Sequence, residues 1–395
     1  MTPYRDEIRM LAPRSQRNRM DTVAQTARNT YGGRYTRAEL LGLAGLGGLA
    51  LALPGTASAA VEAAPIENDL VIYNWSQYDS PSTYSNFKKA HPGLKLTETY
   101  YSSNDELIAK LNAGGSGYDI VVPSQNAVAE LIQLGQALSL DMSLLPNMKN
   151  RDPSWIKPSF DPTGKYSVVK DYGVTGFFYN NKIVTERPKS MLDFYKLLPK
   201  YAKKGRTNIM DGAEEVVPIA LMANGMDPNT GDPKVLAEVL KFLLSIRKGV
   251  TTITSSNYIN DGSAGKIVLG QGWNGDMRRI RDARKKQGDI TVVLPSGHAE
   301  RWADNWMILK NAKHPLAAHA WINNILSPRV AANEVEYHNY PVPIPKAMAM
   351  LPPSLRNDPL VNVAKSVVSR YTFILNPTPA VVQARTKIYT EFKAA

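Results

Sequence analysis

Tryptophan and aspartate stand close together at two places in this sequence, and the pairing suits the binding of an organic cation. Trp273 and Asp276 lie in the run GWNGD, and Trp302 and Asp304 lie in the run RWAD. An ammonium group is attracted to the face of an aromatic ring and forms a charge-assisted hydrogen bond with a carboxylate. Both effects are larger in a cleft that is shielded from water than at a surface. The two runs therefore predict a cation site, provided that the fold brings them together.

Three more aromatic residues lie at predicted strand ends or in turns rather than inside apolar runs. Trp75 and Tyr78 follow an apolar run in YNWSQY, and Tyr340 lies in NYPVP. Ligands in open α/β sheets gather beyond the carboxyl ends of strands, where loops carry function more often than packing. These residues are therefore candidates for the same site.

Each candidate also has a purely structural interpretation. Trp75 and Tyr78 could be core aromatic residues, and Asp276 could cap the N-terminus of a helix. Asp304 could satisfy a turn, and Glu215 could be an acid in the first turn of a helix. Spacing along the chain does not decide between these alternatives.

The elements that would position these residues follow an α/β rhythm. Short apolar runs at 70–73, 94–100 and 118–123 predict strands, and the segments 80–90 and 104–112 between them predict helices. This βαβαβ order implies a mainly parallel sheet with helices on both faces. The rhythm pauses over 142–170, where Pro and Asp are frequent.

The rhythm resumes with a predicted strand at 174–179, and the boundary between two halves of the protein is predicted near Gly173. Trp273 is expected at a strand-to-helix turn, and Trp302 and Asp304 just before a strand at 306–309. The remaining predictions are helices at 191–201, 215–223, 233–246 and 314–326, a helix starting near Asp276, and strands at 266–269 and 290–294.

Length and composition limit the possible chemistry. The 395 residues fit two α/β units of about 150 residues each. The absence of cysteine excludes disulfides, thiolate metal sites and cysteine nucleophiles, and the five histidines form no HxxxH or HExxH pair. No metal and no cofactor are expected. The runs GGSG and GSAGK do not match a nucleophile elbow or a phosphate-binding loop, so an enzyme is not expected either.

The net charge of +12 could indicate binding to nucleic acid or to an anionic membrane. Residues 1–59 contribute +4 of it, as eight arginines less four acids. The densest later cluster of basic residues, at 278–286, has the spacing of a solvated helix face rather than of a docking surface. No nucleic-acid partner is therefore expected.

The N-terminal region has the features of an export signal. Arginines precede an apolar run at 40–53, and the small residues Ala57, Ser58 and Ala59 follow it. The run is shorter than the roughly 20 residues that span a membrane, so residues 1–59 are predicted to be a secretory signal. General secretion and twin-arginine export both stay open. The mature protein is expected in the periplasm.

Taken together, the runs quoted above resemble those of the spermidine/putrescine-binding family, the receptor subunits of bacterial polyamine ABC importers. They recur in order from about Asn68 to near the C-terminus. The matching stretches are 73–78 (YNWSQY), 118–124 (YDIVVPS), 211–216 (DGAEEV), 255–261 (SSNYIND), 272–276 (GWNGD), 302–304 (WAD) and 340–341 (YP).

The resemblance implies a periplasmic-binding-protein type II clamshell, with two lobes that each hold a mainly parallel sheet flanked by helices and that are joined by crossover strands. Residues 60–173 with 304–345 would form the first lobe, and residues 174–303 with 346–395 the second. It also implies that a polyamine is captured between the lobes and passed to an inner-membrane ABC permease. Contact with the membrane would be made only through this permease.

The resemblance further implies a role for each site residue. Asp276 and Asp304 would hold amino groups, and Glu215 a more distal amine. Ser76 and Ser124 would be polar cleft positions. The positions that match the family's aromatic box are Trp75, Tyr78, Trp273, Trp302 and Tyr340.

Two departures leave the identity of the amine open. Gly212 stands where spermidine-preferring relatives have a second aspartate, which favours a diamine such as putrescine. Gln77 stands where the putrescine type tends to have an acid. Spermidine, a guanidino-amine, or another cationic or neutral metabolite are the alternatives.

Overall fold

The structure is a computed structural model, and it describes residues 66–114, 117–375 and 378–395. The predicted export segment 1–59 lies outside the described residues. The strands are β1 (Asp69–Trp75), β2 (Lys95–Tyr101), β3 (Ile120–Val121), β4 (Ser167–Asn180), β5 (Arg206–Ile209), β6 (Thr252–Ile253), β7 (Ile267–Trp273), β8 (Ile290–Val293) and β9 (Arg301–Ile308).

Helices fill most of the intervals between the strands. They are α1 (Pro81–Ala90), α2 (Asn104–Asn112), α3 (Gln125–Gln133), α4 (Met191–Tyr201), α5 (Ala213–Ala223), α6 (Pro233–Ile246), α7 (Tyr258–Ser263), α8 (Asn274–Ala283), α9 (Pro315–Ile325), α10 (Pro328–His338), α11 (Pro345–Met350), α12 (Pro353–Arg356), α13 (Lys365–Val368) and α14 (Pro379–Ala394). In the described ranges, no helix is both long enough and apolar enough to cross a membrane.

The strands pair in the order β2-β1-β3-β9-β4-β7-β5-β6, with β8 also paired to β4. Pairing is parallel between β1 and its neighbours β2 and β3, and again between β5 and its neighbours β6 and β7. It is antiparallel wherever β4 or β9 takes part. The predicted α/β architecture is therefore confirmed, with parallel strands toward both ends of the sheet.

Strand β4 divides the sheet into two halves. Its residues from Ser167 to Val174 pair with β9, and its residues from Thr175 onward pair with β7 and β8. We call β1, β2, β3, β9 and the first part of β4 the first half, and the remaining strands with the last part of β4 the second half. The change of partner falls next to Gly173, where the sequence predicts the boundary.

Each half has its own apolar core. In the first half, Leu107 and Val128 pack from α2 and α3 against Val121 and Met307 of the sheet. In the second half, the C-terminal helix α14 adds Phe392 to a core that is formed by α4, α5 and α6. Burial of a side chain of this size contributes about 1.5–3 kcal/mol to stability.

Two strands begin several residues before the apolar runs that predict them. Strand β4 begins at Ser167, inside the segment for which no α/β pattern was predicted. The apolar pattern misses this start because the buried residues of the strand include the charged pair Lys170 and Asp171. Strand β9 begins at Arg301, so Trp302 and Asp304 lie within a strand and not before it. A pattern of apolar residues cannot predict where these two strands begin, because charged side chains are buried near both starts.

The basic cluster on α8 is less exposed than its spacing predicts. Arg278 is only 13% exposed and pairs with Asp358 at 2.8 Å, and Arg284 pairs with Asp289. The prediction of a solvated helix face is therefore wrong for these two arginines, since they hold neighbouring segments through ion pairs.

Candidate functional site

Asp304 is a buried carboxylate that hydroxyl groups hold on both oxygens. It lies in the middle of β9 and is 7% exposed. The Tyr78 hydroxyl is hydrogen-bonded to Oδ2 at 2.6 Å, and the Ser124 hydroxyl donates to Oδ1 at 2.6 Å. Burial, together with the negative charge of Asp171, raises the pKa of Asp304 to about 7. A bound cation would therefore stabilise the ionised form of Asp304 and would replace its proton.

Asp276 is the corresponding acid of the second half. It lies in the first turn of α8, but Trp273 is the N-cap residue, so Asp276 does not cap this helix. Instead its Oδ2 accepts a hydrogen bond from Tyr258 at 2.7 Å, and the Tyr340 hydroxyl also donates to it. Burial raises its pKa although these bonds and the charge of Arg279 oppose the shift.

A chain of edge-to-face aromatic rings connects the two acids. The ring centroids of Trp273 and Trp302 are 6.4 Å apart, and those of Trp302 and Tyr340 are 5.0 Å apart. Tyr340 in turn contacts Tyr78 at 6.1 Å. Since Tyr340 hydrogen-bonds Asp276 and Tyr78 hydrogen-bonds Asp304, the rings and the acids form one continuous network of contacts.

Glycines allow these rings to approach the backbone. A Cβ atom on Gly173 would lie 2.2 Å from Cζ2 of Trp302, and one on Gly275 would lie 2.6 Å from Cε1 of Tyr340. Any larger residue at either position would displace a ring. The close packing of Trp302 and Tyr340 therefore depends on two glycines in β4 and α8.

Ser124 is positioned by both its backbone and its neighbours. It is the N-cap residue of α3 and forms an isolated antiparallel bridge with Asp304. Its backbone N–H donates to Oδ1 of Asn104 at 3.1 Å. This arrangement aims its hydroxyl group at Asp304.

Glu215 adds a third acid near Asp304, without a hydrogen bond to it. Its Oε2 is buried and has no hydrogen-bond partner in the described part of the chain. Burial raises its pKa well above the ordinary value, and the negative charges of Glu300 and Asp304 raise it further. The pKa of Glu300 is itself raised to about 7, chiefly by burial. The region therefore holds three buried acids, Glu215, Glu300 and Asp304, whose ionised forms repel one another.

Two candidates lie apart from this network. Trp75 packs against Tyr101 at a tilted angle, with centroids 4.6 Å apart, and donates its Nε1–H to the Val122 carbonyl at 2.9 Å. Within the described ranges, its ring does not contact the other aromatic candidates. Ser76 is exposed in the loop after β1. The structure thus joins seven candidates, Tyr78, Ser124, Trp273, Asp276, Trp302, Asp304 and Tyr340, and places Glu215 in their electrostatic field.

Sequence reasoning missed several residues that support the acids. Tyr258 lies in the recognised run SSNYIND, but its bond to Asp276 depends on how α7 packs against α8. Lys170 and Asp171 lie in the segment that lacks an apolar pattern, and both are buried beside Tyr78. The signal in the sequence that could have identified them is the adjacent pair of opposite charges, Lys170 and Asp171, just before a predicted strand.

Comparisons with known proteins agree with this geometry. The profile of the bacterial extracellular solute-binding protein family matches residues 83–363. A spermidine/putrescine-binding periplasmic protein of Haemophilus influenzae is 31% identical over 83% of this chain and 90% of its own length. The putrescine-binding periplasmic protein SpuD of Pseudomonas aeruginosa is 32% identical over 88% of this chain and 97% of its own length.

Solved structures show the same fold. A structure described as a putative spermidine/putrescine ABC transporter from Listeria monocytogenes superposes with a TM-score of 0.77 at 28% identity, over 83% of this chain and 99% of its own. The predicted type II periplasmic-binding fold and the predicted location outside the cytoplasm are confirmed by these matches. The chain belongs to the family of bacterial extracellular solute-binding proteins and, within it, to the spermidine/putrescine-binding group.

Proposed function

We propose that this protein is the periplasmic receptor of an ABC importer and that it captures a polyamine between the two halves of its sheet. The observation that carries the proposal is the position of two buried acids. Asp304 lies on the first half and Asp276 on the second, and aromatic rings connect them. A diamine has a cationic group at each end and an apolar stem between, which matches this order of acid, ring and acid.

The energetics favour a cationic ligand over a neutral one. Buried ionised carboxylates without a cation are strongly disfavoured, which is why the pKa values of Asp276, Asp304 and Glu215 are raised. A bound ammonium group removes this penalty at contact distance. Each cation–π contact adds about 0.5–2 kcal/mol, and each buried methylene adds about 0.8 kcal/mol.

The two lobes are assigned to residues 60–173 with 304–345 and to residues 174–303 with 346–395. The change of partner along β4, and the packing of α14 against α5 and α6, support this assignment. Strands β4 and β9 then form the hinge. A ligand that contacts both halves stabilises the closed form, which an inner-membrane permease would recognise.

Within the site, Tyr78, Trp273, Trp302 and Tyr340 are assigned to the apolar stem, and Ser124 positions Asp304. Glu215 is assigned to a more distal amine. Trp75 and Ser76 remain candidates for the rim of the cleft, since Ser76 is exposed and Trp75 is half-buried. Burial and neighbouring acids raise the pKa values of these carboxyl groups, and a bound cation would lower them again. We therefore assign the acids to ligand binding and not to enzymatic acid–base chemistry.

A second candidate ligand is a cationic metabolite that also carries a hydrogen-bond acceptor. Trp302 is 8% exposed, and its indole Nε1 is buried with no acceptor in the described residues. A carbonyl or carboxylate oxygen on the ligand would satisfy this donor. Acetylated diamines and ω-amino acids belong to this class.

A thermal-shift screen tests both candidates. Putrescine, cadaverine, spermidine and agmatine should raise the melting temperature, because a ligand that binds only the folded form stabilises it by mass action. Butane-1,4-diol is the matched neutral control and should give no shift. A larger shift with N-acetylputrescine or 4-aminobutyrate would favour the second candidate. The absence of a shift with every amine would refute the proposal.

A further inference from the structure

The hydroxyl group of Tyr78 lies between two carboxylates that it cannot both satisfy. It contacts Oδ1 of Asp171 and Oδ2 of Asp304, the latter at 2.6 Å. A phenol carries one proton and donates one hydrogen bond. If both acids were ionised, one of the two contacts would bring lone pairs together inside a buried site. The geometry therefore requires a second proton on one of the two carboxyl groups.

Lys170 favours the ionised form of Asp171 over the ionised form of Asp304. Nζ of Lys170 lies 2.8 Å from Oδ2 of Asp171 and 3.1 Å from Oδ1 of Asp79, and 3.6 Å above the ring of Tyr78. Burial opposes the charge on this lysine, but the two carboxylates outweigh it and raise the pKa of Lys170. Asp171 thus has an ammonium partner, whereas the side-chain donors to Asp304 among the described residues are hydroxyl groups.

We propose that Lys170 and Asp171 act through Tyr78 to keep Asp304 protonated in the ligand-free protein, and that an arriving ammonium group releases this proton. In the ligand-free state Tyr78 donates to Asp171, and the Asp304 carboxyl group donates to the Tyr78 oxygen. On binding, the Asp304 O–H bond breaks and its proton passes to water or buffer. The ammonium group carries several N–H donors, so it can donate both to the Asp304 carboxylate and to the Tyr78 oxygen, while the Tyr78 O–H keeps its bond to Asp171. This inference rests on the proposed capture of a cation at Asp304.

Other charged groups face this unit from each neighbouring element. From α5, Glu215 interacts with Asp304, and Glu300 does so from the start of β9. From α10, Nε2 of His338 lies 3.4 Å from Asp171, but burial and the charge of Lys170 lower the pKa of His338, so this histidine is neutral.

Two further neighbours contribute: Glu334 interacts with Lys170, and Tyr101 interacts with Asp304 itself. Glu334 of α10 attracts Lys170, as Asp79 does, and Tyr101 of β2 feels the charge of Asp304. Among the described residues, Asp304 interacts with the acids Asp171, Glu215 and Glu300 and with the single base Lys170. The repulsion of these acids favours the protonated form of Asp304 until a ligand brings positive charge.

The consequence is that affinity depends on pH through a single shared proton. With the pKa of Asp304 raised to about 7, the fraction ready to bind falls about tenfold between pH 8 and pH 6. The dissociation constant for a diamine should rise by about the same factor. A neutral ligand would bind without releasing a proton, so the exchange discriminates by charge.

A first experiment needs no ligand. The side-chain carboxyl carbons of aspartate are labelled with ¹³C and titrated by NMR in the ligand-free wild type and in Asp304→Asn. We expect one carboxyl signal that titrates near neutral pH and that is lost in the variant. Titration of the Asp304 signal at an ordinary aspartate pKa would overturn the proposal.

A second experiment counts protons during binding. Putrescine is titrated calorimetrically at pH 7 in two buffers of different ionisation enthalpy, and the difference gives the protons released. In Asp171→Asn the amide oxygen can face Lys170 and the amide N–H₂ can donate to Tyr78, which frees the Tyr78 proton for Asp304. This variant should release fewer protons and bind about tenfold more tightly than the wild type at pH 6.

Glu300→Gln is the matched control, because it removes a neighbouring buried acid and leaves the Asp171–Tyr78–Asp304 unit intact. Because it also removes one acid that repels Asp304, it should lower the proton release slightly, and much less than Asp171→Asn does. Putrescine binding without proton release would refute the inference and leave the proposed function standing. If no amine binds, the proposed function fails, and the ligand-free NMR titration still decides whether Asp304 stores a proton.

Discussion

Gly173→Ala is a small change that should disturb the centre of the site. Gly173 pairs with Trp302 across β4 and β9, and an added Cβ would lie 2.2 Å from Cζ2 and 2.7 Å from Cε2 of that indole. It would also lie 2.4 Å from Oδ1 of Asn274, which accepts the Val174 N–H at 2.9 Å. Ordinary contact begins at 3.4 Å, so the indole must retreat by about 1 Å.

The size of the effect follows from this displacement. Forcing a methyl group into a packed region costs about 1–3 kcal/mol of unfolding free energy. An indole that moves off the ligand loses a cation–π contact of about 0.5–2 kcal/mol, which corresponds to a loss of about 2- to 30-fold in affinity. Urea denaturation measures the first quantity, and calorimetric titration with putrescine measures the second.

A double-mutant cycle separates the two neighbours of Gly173. Trp302→Phe removes the benzo ring that contains Cζ2, so Gly173→Ala should destabilise this background less than the wild type. Wild-type stability and affinity in Gly173→Ala would refute the reasoning, since they would show that Trp302 is not held against β4. Equal costs in both backgrounds would assign the clash to Asn274 alone.

Three other substitutions test separate parts of the structure. Asp276→Ala should weaken putrescine binding by about 2–5 kcal/mol in calorimetry, because it leaves an ammonium group unpaired, and unchanged affinity would remove Asp276 from the site. Asp119→Ala should lower the unfolding free energy by several kcal/mol with putrescine affinity kept, since its carboxylate accepts hydrogen bonds from the backbone of Val71 and from both the backbone and ring of His314. For Glu300, burial raises the folded pKa to about 7 from 4.5, so its effect on stability becomes more unfavourable as pH rises across that window. Glu300→Gln should therefore gain about 1–3 kcal/mol relative to the wild type at pH 8 and little at pH 4, as measured by urea denaturation; an equal difference at both pH values would contradict the assignment.

Capping residues and apolar periodicity in the sequence were sufficient to predict the bounds of some helices. The helices at 191–201 and 233–246 have the bounds that the sequence predicts. Ser190 and Asp193 form a capping box at the first, and Asp232 caps the second just before a proline. Such boundaries are set by residues within one turn, so they can be read without knowledge of the fold.

The same reasoning fails where burial depends on distant partners. Ser167 to Lys170 belong to a buried strand because Asp79, far along the chain, supplies a countercharge to Lys170. Trp302 and Asp304 belong to β9 because they pair with Gly173 and Asp171 of β4. Neither the ion pair of Lys170 nor the strand pairing of β9 can be predicted from the hydrophobicity of neighbouring residues.

For the site, the sequence by itself determined which side chains were available: indole rings and carboxylates are the groups that bind an organic cation when a fold brings them together. Only the tertiary structure decided which of these residues meet. It joined Tyr78 to Asp304 across 226 positions, kept Trp75 on Tyr101, and placed the Lys170–Asp171 pair behind the site. The physical reason is that affinity for a type of ligand is a property of the side chain, whereas its pKa, partners and orientation are properties of the space around it.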